Sequence, residues 1–295
     1  MDTRAVNSRV KVFLHVPKTA GTTLNSIFAN HLEDGQRYKL MMRGMSYVRP
    51  RFSLFGPRLI SRTNLGRFRA ALAEPGKLKV VDGHFDMSIA RFMPEDAFWI
   101  TLLRDPVERA ISHYRHYRAL EKDPMHRTAR ENTLLSWVMG CNLVEMDNGQ
   151  TRRLAGAMDA PIGSVDDRML ETAKRNLAKF DMVGLSERFD AFQVLLHAAM
   201  GWPLHRYPAC NVGKSPVDSM PVSESERSVL RTFNRYDEAL YEFAHTLFER
   251  SIANVDMPAA LKALQAAPVF SPPHRAAGPA ASSALPCSRL AMGAR

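Results

Sequence analysis

The sequence has little from which to build a disulfide framework or a metal centre. Its three cysteines, Cys141, Cys210 and Cys287, are odd in number and far apart. That excludes a stapled secreted scaffold and a zinc-ligand cluster, so no metal is expected. The cysteine usage predicts a protein of a reducing compartment, the cytoplasm. No stretch approaches the roughly 18 apolar residues of a membrane-spanning helix. The opening Met1-Asp2-Thr3-Arg4-Ala5-Val6-Asn7-Ser8-Arg9 lacks the apolar run of a secretory signal. There is no internal repeat. Acidic residues are almost missing from one long segment: from Arg37 to Lys79 there are eleven Lys and Arg against Glu74 alone. That segment accounts for the whole net charge of +10. Positive charge so concentrated faces an anionic ligand or forms a solvated basic surface. Nucleic acid is the poorer partner, because no helix-turn-helix, zinc finger or RNA-binding aromatic signature accompanies the charge.

What is present is enough apolar material for a sizeable core, at 45% of residues. The apolar runs Val10–His15, Leu78–Val81, Phe98–Leu103 and Asp181–Gly184 read as buried strands. Between and after them come helical spacings: Leu24, Ile27, Phe28, Leu32; then Val107, Ala110, Ile111, Tyr114; then Phe189, Phe192, Leu195, Leu196; then Leu240, Phe243, Leu247. Ser223-Glu224-Ser225-Glu226 has the form of a capping box. Strands alternating with helices predict an α/β fold with a parallel sheet and crossover helices. One domain is expected over residues 1–255. Its segment 31–77 reads as a basic, loop-rich insertion with one short helix near Leu65–Leu72, and the Ala/Pro/Ser-rich residues 266–295 as a disordered tail.

Two motifs carry chemistry. In His15-Val16-Pro17-Lys18-Thr19-Ala20-Gly21-Thr22-Thr23-Leu24 a buried strand runs into a helix. Such a junction directs free backbone N–H groups and the positive helix end at one point, which suits phosphate or sulfate. Gly21 permits close approach, Lys18 adds charge, and Thr19, Thr22 and Thr23 add hydroxyls. The order is not that of Walker A, whose lysine follows the second glycine; here Lys18 precedes the only glycine. A plain strand–helix turn would share these features. The second motif, Arg104-Asp105-Pro106-Val107-Glu108-Arg109-Ala110-Ile111-Ser112-His113-Tyr114, ends a strand and opens a helix, with Asp105 as cap and Pro106 at the first helical position. On the helical wheel Ser112 falls opposite the apolar stripe, beside Arg109, so core packing does not explain it. Arg104 can fork onto an anion while Ser112 donates its hydroxyl. Taken alone, the same letters describe a good helix start and a solvated serine.

Val16–Thr23 resembles the "PKTGGT" phosphosulfate loop of carbohydrate sulfotransferases that use 3′-phosphoadenosine-5′-phosphosulfate (PAPS), of the heparan sulfate 2-O-/chondroitin-type branch. Arg104–Tyr114 resembles the same family's "RDPVxRxxSxY" 3′-phosphate site. Asn148–Gly156 resembles its "NxQTRxLxG" stretch, and Phe180–Phe189 its "FdxVGLtErfd" step; Asn211–Lys214 and Asn234–Tyr241 echo later segments. The resemblance spans about residues 10–252. It implies a three-layer P-loop-like fold related to nucleotide kinases, and PAPS as donor with PAP as product. It also implies cofactor binding by Lys18, Thr19, Ala20, Gly21, Thr22, Thr23, Arg104 and Ser112. Lys18 would in addition stabilise the leaving oxygen. A soluble, bacterial-type member is expected.

Sulfuryl transfer to an alcohol needs in-line geometry, a neutralised leaving group and a base near the hydroxyl. Asp82-Gly83-His84-Phe85-Asp86 follows a strand. His84, which titrates near neutrality, matches the histidine that serves as base in the 2-O branch. Asp86 is the alternative base, or the group that orients it. His15 reads as structural, and Arg152 as a candidate for either cofactor or acceptor. The basic segment 37–79 reads as an acceptor wall suited to an anionic carbohydrate or another hydroxyl-bearing acceptor. A non-catalytic nucleotide- or polyanion-binding protein and a P-loop kinase-like phosphotransferase are the rival readings.

Overall fold

The computed structural model describes residues 3–33, 35–41, 62–74, 76–207 and 220–270. A leading helix α1 (Thr3–Ser8) precedes β1 (Lys11–Leu14), whose four residues are all buried. An apolar run without alternation is what a strand covered on both faces requires. The chain continues through α2 (Gly21–His31), β2 (Arg37–Met41), α3 (Arg62–Ala73), β3 (Val80–His84), β4 (Phe98–Leu103) and α4 (Pro106–Ala119). Then come α5 (His126–Glu131), α6 (Leu134–Gly140), α7 (Gly149–Ala155), α8 (Asp167–Leu177) and β5 (Met182–Leu185). Helices α9 (Phe189–Met200), α10 (Glu224–Phe233), α11 (Arg235–Ile252) and α12 (Met257–Ala266) complete the described chain.

The five strands form one parallel sheet in the order β2-β3-β1-β4-β5, flanked by helices, as the alternation of elements predicts. β1 lies in the middle with β3 and β4 on either side, and Leu14 is level with both Gly83 and Thr101. The loops after β1, β3 and β4 therefore leave the sheet at one height. The direction of strand succession reverses at β1, the kind of switch point where open α/β sheets place their ligands. Val12, Phe13, Leu14, Phe98, Ile100 and Leu102 have no exposed surface and form the centre of the core. A second apolar cluster joins α4 to α6 through Val107, Ile111, Tyr114, Trp137 and Val138.

The capping box is present at the start of α10, with the Ser223 and Glu226 side chains each bonded to the other's backbone N–H. β2 is the strand that sequence patterning missed. Tyr38 and Leu40 turn inward while Arg37 and Lys39 alternate with them, a half-buried edge strand hidden in a basic context. The short helix near Leu65–Leu72 is α3. Residues 42–61, the Asn211–Lys214 segment with Cys210, and the tail from residue 271 lie outside the described residues. Before that tail, α12 packs against α9, and Arg206 exchanges backbone hydrogen bonds with Pro268 and Phe270 at 2.9 and 2.8 Å. Among the described residues no helix is long and apolar enough to cross a membrane.

Candidate active site

The loop between β1 and α2 holds two non-glycine residues in the left-handed region, Lys18 at φ 68° and Ala20 at φ 62°. Each such residue costs about 1–2 kcal/mol. Turns of this kind can aim successive N–H groups at an anion, and such outliers collect at functional loops. Thr23 and Leu24 donate their N–H groups to Ala20 O, so the helix begins at the loop itself. Thr19 is fully buried and its hydroxyl donates to Val16 O at 2.8 Å. Its side chain thus shapes the loop, and its backbone N–H is what it has to offer a ligand. Thr22 is exposed on the first turn of α2, and Thr23 is buried. Gly21 leaves room for the His15 ring that lies over it: a Cβ there would meet His15 Nε2 at 1.9 Å.

Arg104, at the end of β4, joins the two motifs. Its Nη1 donates to Lys18 O at 3.2 Å, while its Nε is buried with no hydrogen-bond partner. That nitrogen faces a carboxylate without a hydrogen bond, and the guanidinium lies beside the loop, where it can also fork onto an anion. Sequence reasoning missed the residues that aim it. Gln150 of α7 acts as a surrogate strand, its Oε1 accepting from Arg104 N at 3.0 Å and its Nε2 donating to Arg104 O at 2.8 Å. Glu187 lies 3.8 Å from Arg104 Nε, accepts from Asp105 N, and is held by Tyr241 Oη at 2.8 Å. Asp105 caps α4 through Glu108 N, as expected.

Ser112 is half-buried on α4, but its wheel neighbour Arg109 is not on a solvent face. Arg109 is buried among Glu145, Asp237 and His113, because α4 packs on two sides and only one of them is apolar. His84, at the end of β3, lies beside the first motif: its ring is 4.3 Å from that of His15. His84 Nδ1 is 3.1 Å from His15 O, an acceptor only, so Nδ1 carries the proton and a neutral ring keeps its lone pair on Nε2. Burial, then the charge of Arg153, lowers its pKa below the ordinary histidine value, against the hydrogen bond to His15 and Glu145, which raise it. His15 is pushed down further, by burial and then by His84. The site thus holds two uncharged imidazoles at neutral pH.

Two sequence expectations change. Asp86 does not orient His84 in place of that carbonyl: its two carboxylate oxygens accept the N–H groups of Ser88 and Met158, which fixes the turn after β3. Arg152 is removed as a ligand for cofactor or acceptor. It has no exposed surface, and its guanidinium is spent on Asp147, Ala160 and Pro161. Part of the basic segment is likewise internal, since Arg37 forks onto buried Asp82 at 2.6 and 2.8 Å and also reaches Asn25.

The structure is thus a parallel α/β sheet whose central strand opens into a strained loop, with an arginine from the next strand bonded to that loop's backbone. Residues 3–263 match the family model described as galactose-3-O-sulfotransferase, and the chain belongs to that family of carbohydrate sulfotransferases. It is similar to human heparan-sulfate 6-O-sulfotransferase 1, with 30% identity over an alignment of 284 positions covering 82% of this chain and 66% of the relative. It is also similar to heparan-sulfate 6-O-sulfotransferase 2 of Danio rerio, at 28% identity, with 83% and 60% covered. The chain thus spans slightly less than two thirds of the length of these curated relatives. A solved sulfotransferase from Alicyclobacillus acidocaldarius shares 18% identity at a TM-score of 0.41, covering 85% of this chain and 98% of that one.

Proposed function

We propose that this chain transfers the sulfuryl group of PAPS to a hydroxyl of a carbohydrate. The observation that carries the proposal is the hydrogen bond from Arg104 to Lys18 O, which brings the two anion-binding motifs into one site beside His84. The donor supplies an activated sulfuryl group and a phosphate leaving group, so the protein's task is position and charge. The nest from Lys18 to Gly21, with Thr22 and Thr23 on the helix start, fits its 5′ end. Arg104, at the end of β4, and Ser112 fit its 3′-phosphate. Lys18 offsets charge on the leaving oxygen, and His84 Nε2 takes the acceptor proton.

The acceptor and the branch are finer parts of the same proposal. The lettering of the first motif resembles the 2-O/chondroitin type, whereas the relatives are named for the 6-O position. Lys39, whose charge is felt at His84, supports an anionic sugar on the β2 side of the site. The scattered cysteines support a cytoplasmic setting. Isothermal titration with adenosine 3′,5′-diphosphate is expected to show stoichiometric binding, and radiolabelled PAPS to mark one of a panel of glycans. Mapping the labelled position separates a 2-hydroxyl from a 6-hydroxyl. A folded protein that takes up no bisphosphate would overturn the reading.

A further inference from the structure

Arg153 is fully buried on α7, yet a neutral side chain of similar volume would fill that space without the cost of desolvating a charge. Its contacts show where the charge acts. Nη1 donates to Phe85 O at 2.8 Å, the peptide carbonyl directly after His84, and Nη2 pairs with Glu145 Oε1. Glu145 is itself buried in the turn before α7, and its other oxygen meets Arg109 Nη1 at 3.3 Å. His84 is therefore held twice, by the His15 carbonyl on its ring and by Arg153 on the main chain that follows.

We propose that Arg153, with Glu145 as counter-charge, is the positioning residue of His84, fixing the Phe85 carbonyl and holding positive charge behind the imidazole so that its lone pair stays available. This rests on the reading of His84 as base. The groups that face His84 are His15 from the loop after β1, Lys39 from β2, Arg153 from α7 and Glu145 from the turn before it. Arg153 and Lys39 disfavour the imidazolium, and Glu145 favours it. Neighbouring Arg152 is closed off by its own pair with Asp147. The two ends of the Arg153–Glu145 pair thus pull the His84 proton affinity in opposite directions, as their opposite charges require.

The test uses the full chain with 13C-labelled histidine, following the His84 titration by NMR without donor or acceptor. The signal is assigned by its loss in His84→Asn. Arg153→Met is expected to raise the His84 midpoint and to shift the acid limb of kcat/KM upward with it. Glu145→Gln is expected to lower the midpoint, and Arg153→Lys, which keeps the charge, to hold it near the wild-type value. Shifts of one sign in both neutral variants, or none, would overturn the proposal. Should Arg153→Met fail to fold, Glu145→Gln decides: a midpoint at or above wild type sinks the idea. Opposed shifts together with an active His84→Asn would leave the coupling and remove His84 as base. Absent shifts with an inactive His84→Asn would do the reverse.

Discussion

Asn148 and Asp237 cap each other's helices. Asn148, left-handed at φ 51°, accepts the N–H groups of Tyr236 and Asp237 at the start of α11 through Oδ1, at 3.0 and 3.2 Å. The Asp237 carboxylate accepts those of Gln150 and Thr151 at the start of α7, at 3.1 and 2.7 Å. Both side chains are buried, so the helix-end donors they satisfy have no recourse to water. Through this exchange α11 fixes the helix that carries Gln150 and Arg153.

Asp237→Ala removes that cap and leaves Arg109 without one of its two carboxylates. The expected loss is about 3–5 kcal/mol of stability, read from denaturant unfolding. A loss under about 1 kcal/mol would mean that the exchange contributes little.

Lys18→Ala and Arg104→Ala are expected to separate kinetically. If Lys18 meets charge that develops only during transfer, its removal lowers kcat by about 10²- to 10³-fold. Arg104→Ala should instead raise KM for PAPS while leaving KM for the acceptor nearly unchanged. Equal effects of both variants on both substrates would place them in a general folding role.

Two glycines give a contrast. A Cβ on Gly83, at φ +149°, would lie 1.7 Å from Leu40 O, and backbone of β2 cannot step aside. Gly83→Ala should cost about 1–3 kcal/mol or more in unfolding experiments. Gly21→Ala meets the side-chain ring of His15 rather than backbone, and a side chain gives way at lower cost. It should leave stability nearly intact and lower activity by disturbing the ring beside His84. Reversal of that order would refute the packing argument.

Acid is expected to destabilise the fold before most carboxylates titrate. His15, His113 and His197 are buried, and burial holds all three, like His84, below the ordinary histidine value. Below about pH 6.5 the unfolded chain takes up protons that the folded one refuses. Stability from these groups is thus complete above pH 6.5 and falls as the pH drops toward their lowered values. Thermal unfolding between pH 7.5 and 5 should show Tm declining; a flat profile would contradict it.

Four of the five strands and the two loop-to-helix corners that follow β1 and β4 were legible because they are written in contiguous residues. An apolar run into Lys18–Gly21, and Phe98–Leu103 into Arg104-Asp105-Pro106, state strand, turn and helix start in order. β2 was not, since its alternation of Arg37, Tyr38, Lys39 and Leu40 is masked by the surrounding charge. The support of the site was illegible for another reason. Gln150, Glu187, Tyr241 and Arg153 act on Arg104 or His84 from 46 to more than 100 positions away, and only chain folding brings them together. Arg109 reads as off the core face and Arg152 as a ligand candidate, because a charge's burial depends on partners that spacing does not reveal.

Among the described residues β2 is the outer strand, paired with β3, and that placement has a consequence. The proposed donor site draws on β1, β4 and α7, inboard of that strand, while the cationic stretch continues from its last residue. If that donor site holds, new sequence grafted after Met41 would alter the acceptor side and leave the donor side untouched.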